Sequence, residues 1–109
     1  MYQPKADLYN LLSELNATVY QARPEVIKTF PCVTFYIVGN TPEYELEREI
    51  GYQDIEVVVD IFAKTSTESG ELLTSLESIM IEADYRLVFS SDVLEDDISH
   101  ITTRFNLRY

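Results

Sequence analysis

The segment from Glu43 to Ala63 constrains this chain more than any other. Ile55, Val57, Val59, Ile61 and Ala63 occupy alternate positions, with Asp54, Glu56 and Asp60 between them. A period of two belongs to a strand with one buried face, and β-branched residues favour it further. Just upstream, Glu43, Glu45, Glu47 and Glu49 alternate with Tyr44, Leu46, Arg48 and Ile50. Gly51-Tyr52 separates the two runs, and a Gly-X pair suits a two-residue type II′ turn. That turn predicts a hairpin pairing Leu46 with Val57 and Tyr44 with Val59 on one face. On the other face it sets Glu49 against Asp54, Glu47 against Glu56 and Glu43 against Asp60. The alternative is a short helix over 43–50, since Glu, Leu and Arg are good helix formers.

The remaining elements follow from periodicity. Leu8, Leu11, Leu12, Leu15 and Val19 share one helical face, which predicts a helix over 7–19 with Pro4 in its first turn. Residues 20–31, with Pro24 and Pro31, have no clean period and read as a connector. The run 33–38 is apolar, aromatic and β-branched, reads as a buried strand, and is closed by Gly39-Asn40. Leu72, Leu73, Leu76, Ile79, Met80 and Ala83 define a second amphipathic helix, and Thr65-x-x-Glu68 resembles a capping box at its start. Residues 85–89 alternate as a strand, Asp92 to Asp97 form an acidic loop, and a last strand alternates Ile101, Thr103, Phe105, Leu107 and Tyr109 with polar residues. The expected fold is α+β: two helices packed on one mostly antiparallel sheet, in the order α-β-β-β-α-β-β. At 109 residues, the span 1–109 suits a single domain.

Charge bounds the function. Eight Lys and Arg against nineteen Asp and Glu give −11. A polyanion repels nucleic acid and anionic lipid, so sequence-specific nucleic-acid binding and membrane association are not expected. No apolar run is long enough to cross a bilayer, and the first residues lack a signal peptide's apolar stretch, so the chain reads as intracellular and soluble. Residues 41–63 hold seven acids and one base, Arg48, and so carry most of the charge.

Residues suited to chemistry are scarce. Cys32 is the only cysteine and His100 the only histidine. One cysteine forms neither an internal disulfide nor a multi-cysteine zinc site, and beside an apolar strand it reads as a buried thiol. His100 falls on the polar side of the last strand and reads as a solvated strand residue. Asp92, Glu95, Asp96 and Asp97 lack the glycine and spaced terminal Glu of a calcium loop and read as a solvated acidic turn. Gly39, Gly51 and Gly70 are too dispersed to cradle phosphate, and no Walker lysine follows them. The expectation is a protein that is not an enzyme, with no catalytic residue, cofactor or metal.

A surface role remains. In the expected register three acidic pairs stand opposed on one face, and opposed like charges destabilise a ladder by about 0.2–1 kcal/mol each. One reading is protection against non-specific sheet association. The other is that Glu43, Glu45, Glu47, Glu49, Asp54, Glu56 and Asp60 repel an anion or meet a basic partner. Val58 and Phe62 interrupt this polar face and are candidate contact residues between subunits.

The leucine-rich first helix, the run FPCVTFYIVGN, the strand YQDIEVVVDIFAKT, the helix ESGELLTSLESIMIEADYRL and the terminal RFNLRY together resemble the tail terminator, or tail completion, proteins of long-tailed bacteriophages and prophages, and related tail-to-head joining proteins. The resemblance covers most of the chain and is one of element order and character. It implies a structural protein of the virion, assembled in the bacterial host cytoplasm. In that role it forms a homo-oligomeric ring, a hexamer, at the head-proximal end of the tail. It would stop growth of the tail tube there, with the tube protein and a neck or head-completion protein as partners. The seven acidic residues would then line the lumen, where like charge lets DNA pass, or face a basic partner. At −11 per subunit, repulsion predicts a monomer in dilute solution that assembles on the tube or at raised salt. A head-closure or connector protein of the neck, and a ligand-binding or regulatory α+β module outside phages, are the alternative readings.

Overall fold

A computed structural model describes residues 4–24, 26–27, 29–44, 50–95 and 97–108. Its elements are α1 (Pro4–Leu12), β1 (Thr18–Gln21), β2 (Cys32–Tyr44), β3 (Ile50–Ala63), α2 (Ser66–Glu82), β4 (Arg86–Val93) and β5 (Ser99–Arg108). The strands form one sheet in the order β1-β2-β3-β5-β4, in which only the β1–β2 pair is parallel. This is the expected α+β fold with the expected element order.

β3 is the spine. It pairs with β2 along one side and β5 along the other, and its alternation puts Ile55, Val57, Val59 and Ile61 on one face, all fully buried. Leu8 and Leu12 of α1, Leu15, and Leu72, Leu76 and Met80 of α2 cover that face. Val33 and Phe35 of β2 and Ile101, Phe105 and Leu107 of β5 extend the same core. Each fully buried side chain of this size contributes about 1.5–3 kcal/mol through removal of apolar surface from water.

α2 starts as its sequence predicts. The Glu68 amide donates to Thr65 Oγ1 at 3.1 Å, and Glu68 Oε1 accepts from the Lys64 amide at 3.4 Å. The box therefore reaches one residue further back than the usual pattern. α1 is shorter than expected. Ser13 Oγ donates to the Tyr9 carbonyl at 2.8 Å, alongside the backbone bond from Ser13 N at 2.9 Å, which offers the backbone an alternative to helix continuation. The chain then turns, Leu15 still reaches the core, and Thr18–Gln21 becomes β1, within residues that were expected to be helix end and connector.

The hairpin sits elsewhere than expected. β2 continues through Gly39-Asn40 to Tyr44, and Gly51 and Tyr52 lie inside β3. Tyr44 pairs with Ile50, so the connection falls on 45–49, outside the described residues, as does the alternative of a helix there. Val57 faces Ile37 rather than Leu46, and Val59 faces Phe35 rather than Tyr44. A register shift at Val38 absorbs one extra residue. This register wins because it sets Val33, Phe35 and Ile37 beside Ile61, Val59 and Val57 on the helix-covered face. A tight turn at Gly51 would leave the buried residues of β2 without those partners.

Truncation of the core should be costly. Leu76→Ala is expected to lower stability by about 2–5 kcal/mol, and Thr65→Ala by about 1 kcal/mol through loss of the cap, both measured by urea denaturation.

Candidate functional site

The helices cover one face of the sheet. The other face carries the polar positions of β3 and is organised in rows across the strands. Tyr36, Val58, Arg104 and Phe89 form one row; Thr34, Asp60, Thr102 and Ser91 the next; Cys32, Phe62, His100 and Val93 the third.

The third row is roofed. The connector after β1 lays the Arg23 guanidinium over the Phe62 ring, 4.7 Å from its centroid, and Phe62 stacks on the His100 ring at 4.2 Å. Arg23 also holds Glu95 from the β4–β5 loop with two hydrogen bonds, 3.0 Å and 3.3 Å. His100 joins the layers: Nε2 meets Asp60 Oδ1 at 3.0 Å, and Nδ1 meets Glu95 Oε2. Four charged or titratable groups from two loops and two strands thus form one continuous chain, Asp60–His100–Glu95–Arg23.

This geometry answers the expectation for His100. Alternation does place it on the polar face, but the residue is only 8% exposed, because that face is covered at this end. Both ring nitrogens of His100 are engaged by carboxylates, Nε2 by Asp60 and Nδ1 by Glu95. Neither nitrogen is left to take a proton from a nucleophile. Cys32 lies across the row from His100, with Phe62 between them, so the two form no nucleophile–base pair. Burial pushes the Cys32 thiol up to about 11, against a smaller opposing pull from Arg23, so it stays protonated and unreactive at neutral pH. Glu95 is held below the ordinary carboxylate range, chiefly by its hydrogen bond from Arg23, against a smaller upward push from burial, with His100 adding to the lowering.

The expected site residues fall into separate groups. Asp54, Glu56 and Asp60 do occupy the helix-free face of β3. The opposed acidic pairs do not form: Asp54, Glu56 and Asp60 face Thr41, Gly39 and Thr34 on β2, and Arg108, Asn106 and Thr102 on β5. Glu43 pairs with Tyr52, and Glu45, Glu47 and Glu49 lie outside the described residues. Glu56 is bound to Arg104 at 3.2 Å, and Asp60 to His100. Val58 and Phe62 are 5% and 0% exposed in this chain alone, so the exposure that marked them as contact residues is absent. Phe62 is instead the floor under Arg23. Glu95 is likewise a clamp residue, not part of a solvated turn, whereas Asp92 belongs to β4 and Asp97 is exposed. Asp96 is outside the described residues.

Besides Tyr9, Val26 and Ile81, the exposed large apolar residues lie at the sheet's margins: Tyr36 and Val38 on β2, and Val88, Phe89 and Val93 on β4, with Leu94 beyond it at 99% exposure. Sequence reading missed these because an apolar strand looks the same whether a neighbour covers it or not. A shallow cleft lined by Gln21, Ala22, Phe35 and Tyr36 adjoins the β2 margin. Among the described residues no helix is long and apolar enough to cross a membrane, and no cluster of three or more His, Cys, Asp or Glu side chains is arranged to hold a metal. The chain matches no known family model, and no curated protein matches it.

The clamp makes stability depend on acid. A carboxylate with a lowered folded-state pKa contributes its stabilisation in full above the ordinary carboxylate range and loses it as pH falls through the lowered value. Glu95→Gln is therefore expected to cost about 1 kcal/mol at pH 7, with the difference from wild type vanishing in strong acid. Denaturant unfolding at a series of pH values measures it; a constant offset down to the acid limit would contradict the clamp.

Proposed function

We propose that this chain is a non-enzymatic structural subunit that assembles into a ring closing the head-proximal end of a phage tail tube, where it presents the surface that joins tail to head. The observation that carries this reading is the β2–β3 ribbon. β5 registers with β3 from Asp54 to Ala63, whereas β2 follows β3 out to Ile50, so the far end of the ribbon projects beyond the body. The molecule is correspondingly elongated, 53 × 25 × 22 Å. Two-stranded ribbons are marginal alone in water, so a projecting one is suited to being stabilised by a neighbour, as in a ring of identical subunits. The fold order and the resemblance of the sequence to tail terminators support the same assignment.

The clamp supports a structural role. Its histidine is fully engaged by carboxylates, and its cysteine is buried and protonated, which leaves this face without an activated nucleophile. Charge points the same way. With Glu56 and Asp60 engaged by Arg104 and His100, the role of repelling DNA in this reading passes to other acids of the seven, Glu45, Glu47, Glu49 and Asp54. Partners in this reading are further copies of the chain, the tail tube protein and a neck or head-completion protein, with the virion tail as the final location.

Tube capping tests the proposal. The purified protein added to polymerising tail tube protein from the same genome is expected to yield tubes of arrested growth with a ring at one end by negative-stain electron microscopy. A variant shortened across residues 43–52 should retain its cooperative melt and lose capping. Tubes that elongate unchecked in the presence of the intact protein would remove the assignment.

A further inference from the structure

We infer that copies of this chain join head to tail by edge addition, the β4 strand of one copy pairing antiparallel with the β2 segment Tyr36–Tyr44 of the next. The inference rests on the ring reading for its biological setting, but the surfaces come from the sheet itself.

The sheet ends differently on its two sides. β4 forms one margin along its whole length, Arg86 to Val93. On the other side β1 pairs with β2 only from Cys32 to Phe35. The Ala22 amide then donates to the Phe35 carbonyl at 2.8 Å, and at Ala22 the backbone turns away with φ 74°. From Tyr36 to Tyr44, β2 therefore has β3 on one side and no strand on the other among the described residues. An eight-residue margin and a nine-residue margin, with exposed apolar residues on each, are templates for strand addition. Strand directions agree: β3 and β4 both run opposite to β2 and β5, so placing β4 of one copy beside β2 of the next continues the sheet in antiparallel fashion.

One register satisfies faces, charges and bulges together. Each margin carries one displaced residue, Val38 in β2 and Val88 in β4. With both displaced, Val93 falls opposite Tyr36 of the next copy, Asp92 opposite Ile37, Ser91 opposite Gly39, Phe89 opposite Thr41 and Arg86 opposite Glu43. Helix-side positions then meet helix-side positions throughout. Val93 and Tyr36 stand opposed at one end, and Arg86 and Glu43, of opposite charge, occupy paired positions at the other. Leu94, next along, reaches the cleft lined by Gln21, Ala22, Phe35 and Tyr36, which lies where β1 leaves the edge. That gives a 99% exposed leucine a place to be buried. Because the two patches differ, the contact is heterologous, the kind that closes into a ring when the rotation allows.

Charge swapping separates this pairing from net repulsion. Sedimentation velocity is run on the full chain at the salt concentration where the wild type is half assembled. Arg86→Glu and Glu43→Arg should each weaken association about fivefold, and the double variant should recover to within about twofold of wild type. Glu43→Arg is the decisive single change. It removes one negative charge and adds one positive, taking the chain from −11 to about −9, and must strengthen association if only net repulsion matters. Tighter association of that variant, or a double variant no better than the singles, overturns the pairing while leaving the ring reading standing. A wild type that stays monomeric at every salt and on tail tubes overturns both.

Discussion

Everything in this fold hangs on β3 being paired along both sides while its inner face is sealed by two helices. A strand placed so cannot slip by one residue without turning Ile55, Val57, Val59 and Ile61 out of the core. Its neighbours inherit that register. β2 and β5 align Val33, Phe35, Ile101 and Phe105 on the same side, and α2 lays Leu72, Leu76 and Met80 across them. The helix-free face is a consequence: once the inner face is fixed, the polar and aromatic residues between must collect on the other.

That second face is treated differently at its two ends. Near the start of β2 it is closed by Arg23, Phe62, His100 and Glu95, which knit the β1–β2 connector to the β4–β5 loop. Charges here sit in mutually satisfied contacts, which is what partial burial demands. Towards the far end the sheet narrows to the β2–β3 ribbon. The molecule thus has a clamped body and a projecting two-stranded arm.

Much of this was legible in the residues. The alternation 55–63 located the spine, and the Leu72–Met80 spacing with Thr65 and Glu68 located α2 and its cap. What failed was pairing. β1 has only four residues, Thr18–Gln21, and is held by a parallel partner fourteen positions on, so no local period announces it. Gly51-Tyr52 has turn chemistry but lies within a strand, because β2 runs on through Gly39-Asn40 with one displaced residue at Val38. A local turn preference is small beside the burial gained by matching two apolar strands. His100 was assigned to the correct face and the wrong environment, since a roof formed by residues 23 and 95 is a tertiary fact with no trace in the alternation of 99–108. Phe62 failed for the same reason, as the floor under Arg23.

The account's central claim is that the two margins of this sheet are complementary and are consumed together when the chain assembles. Amide hydrogen exchange followed by mass spectrometry, on dilute monomer and on assembled protein, addresses it most directly. The account predicts new protection on assembly in both the 86–93 and 36–44 segments, with β3 and β5 protected equally in the two states. Assembly that leaves either margin exchanging as in the monomer would contradict it.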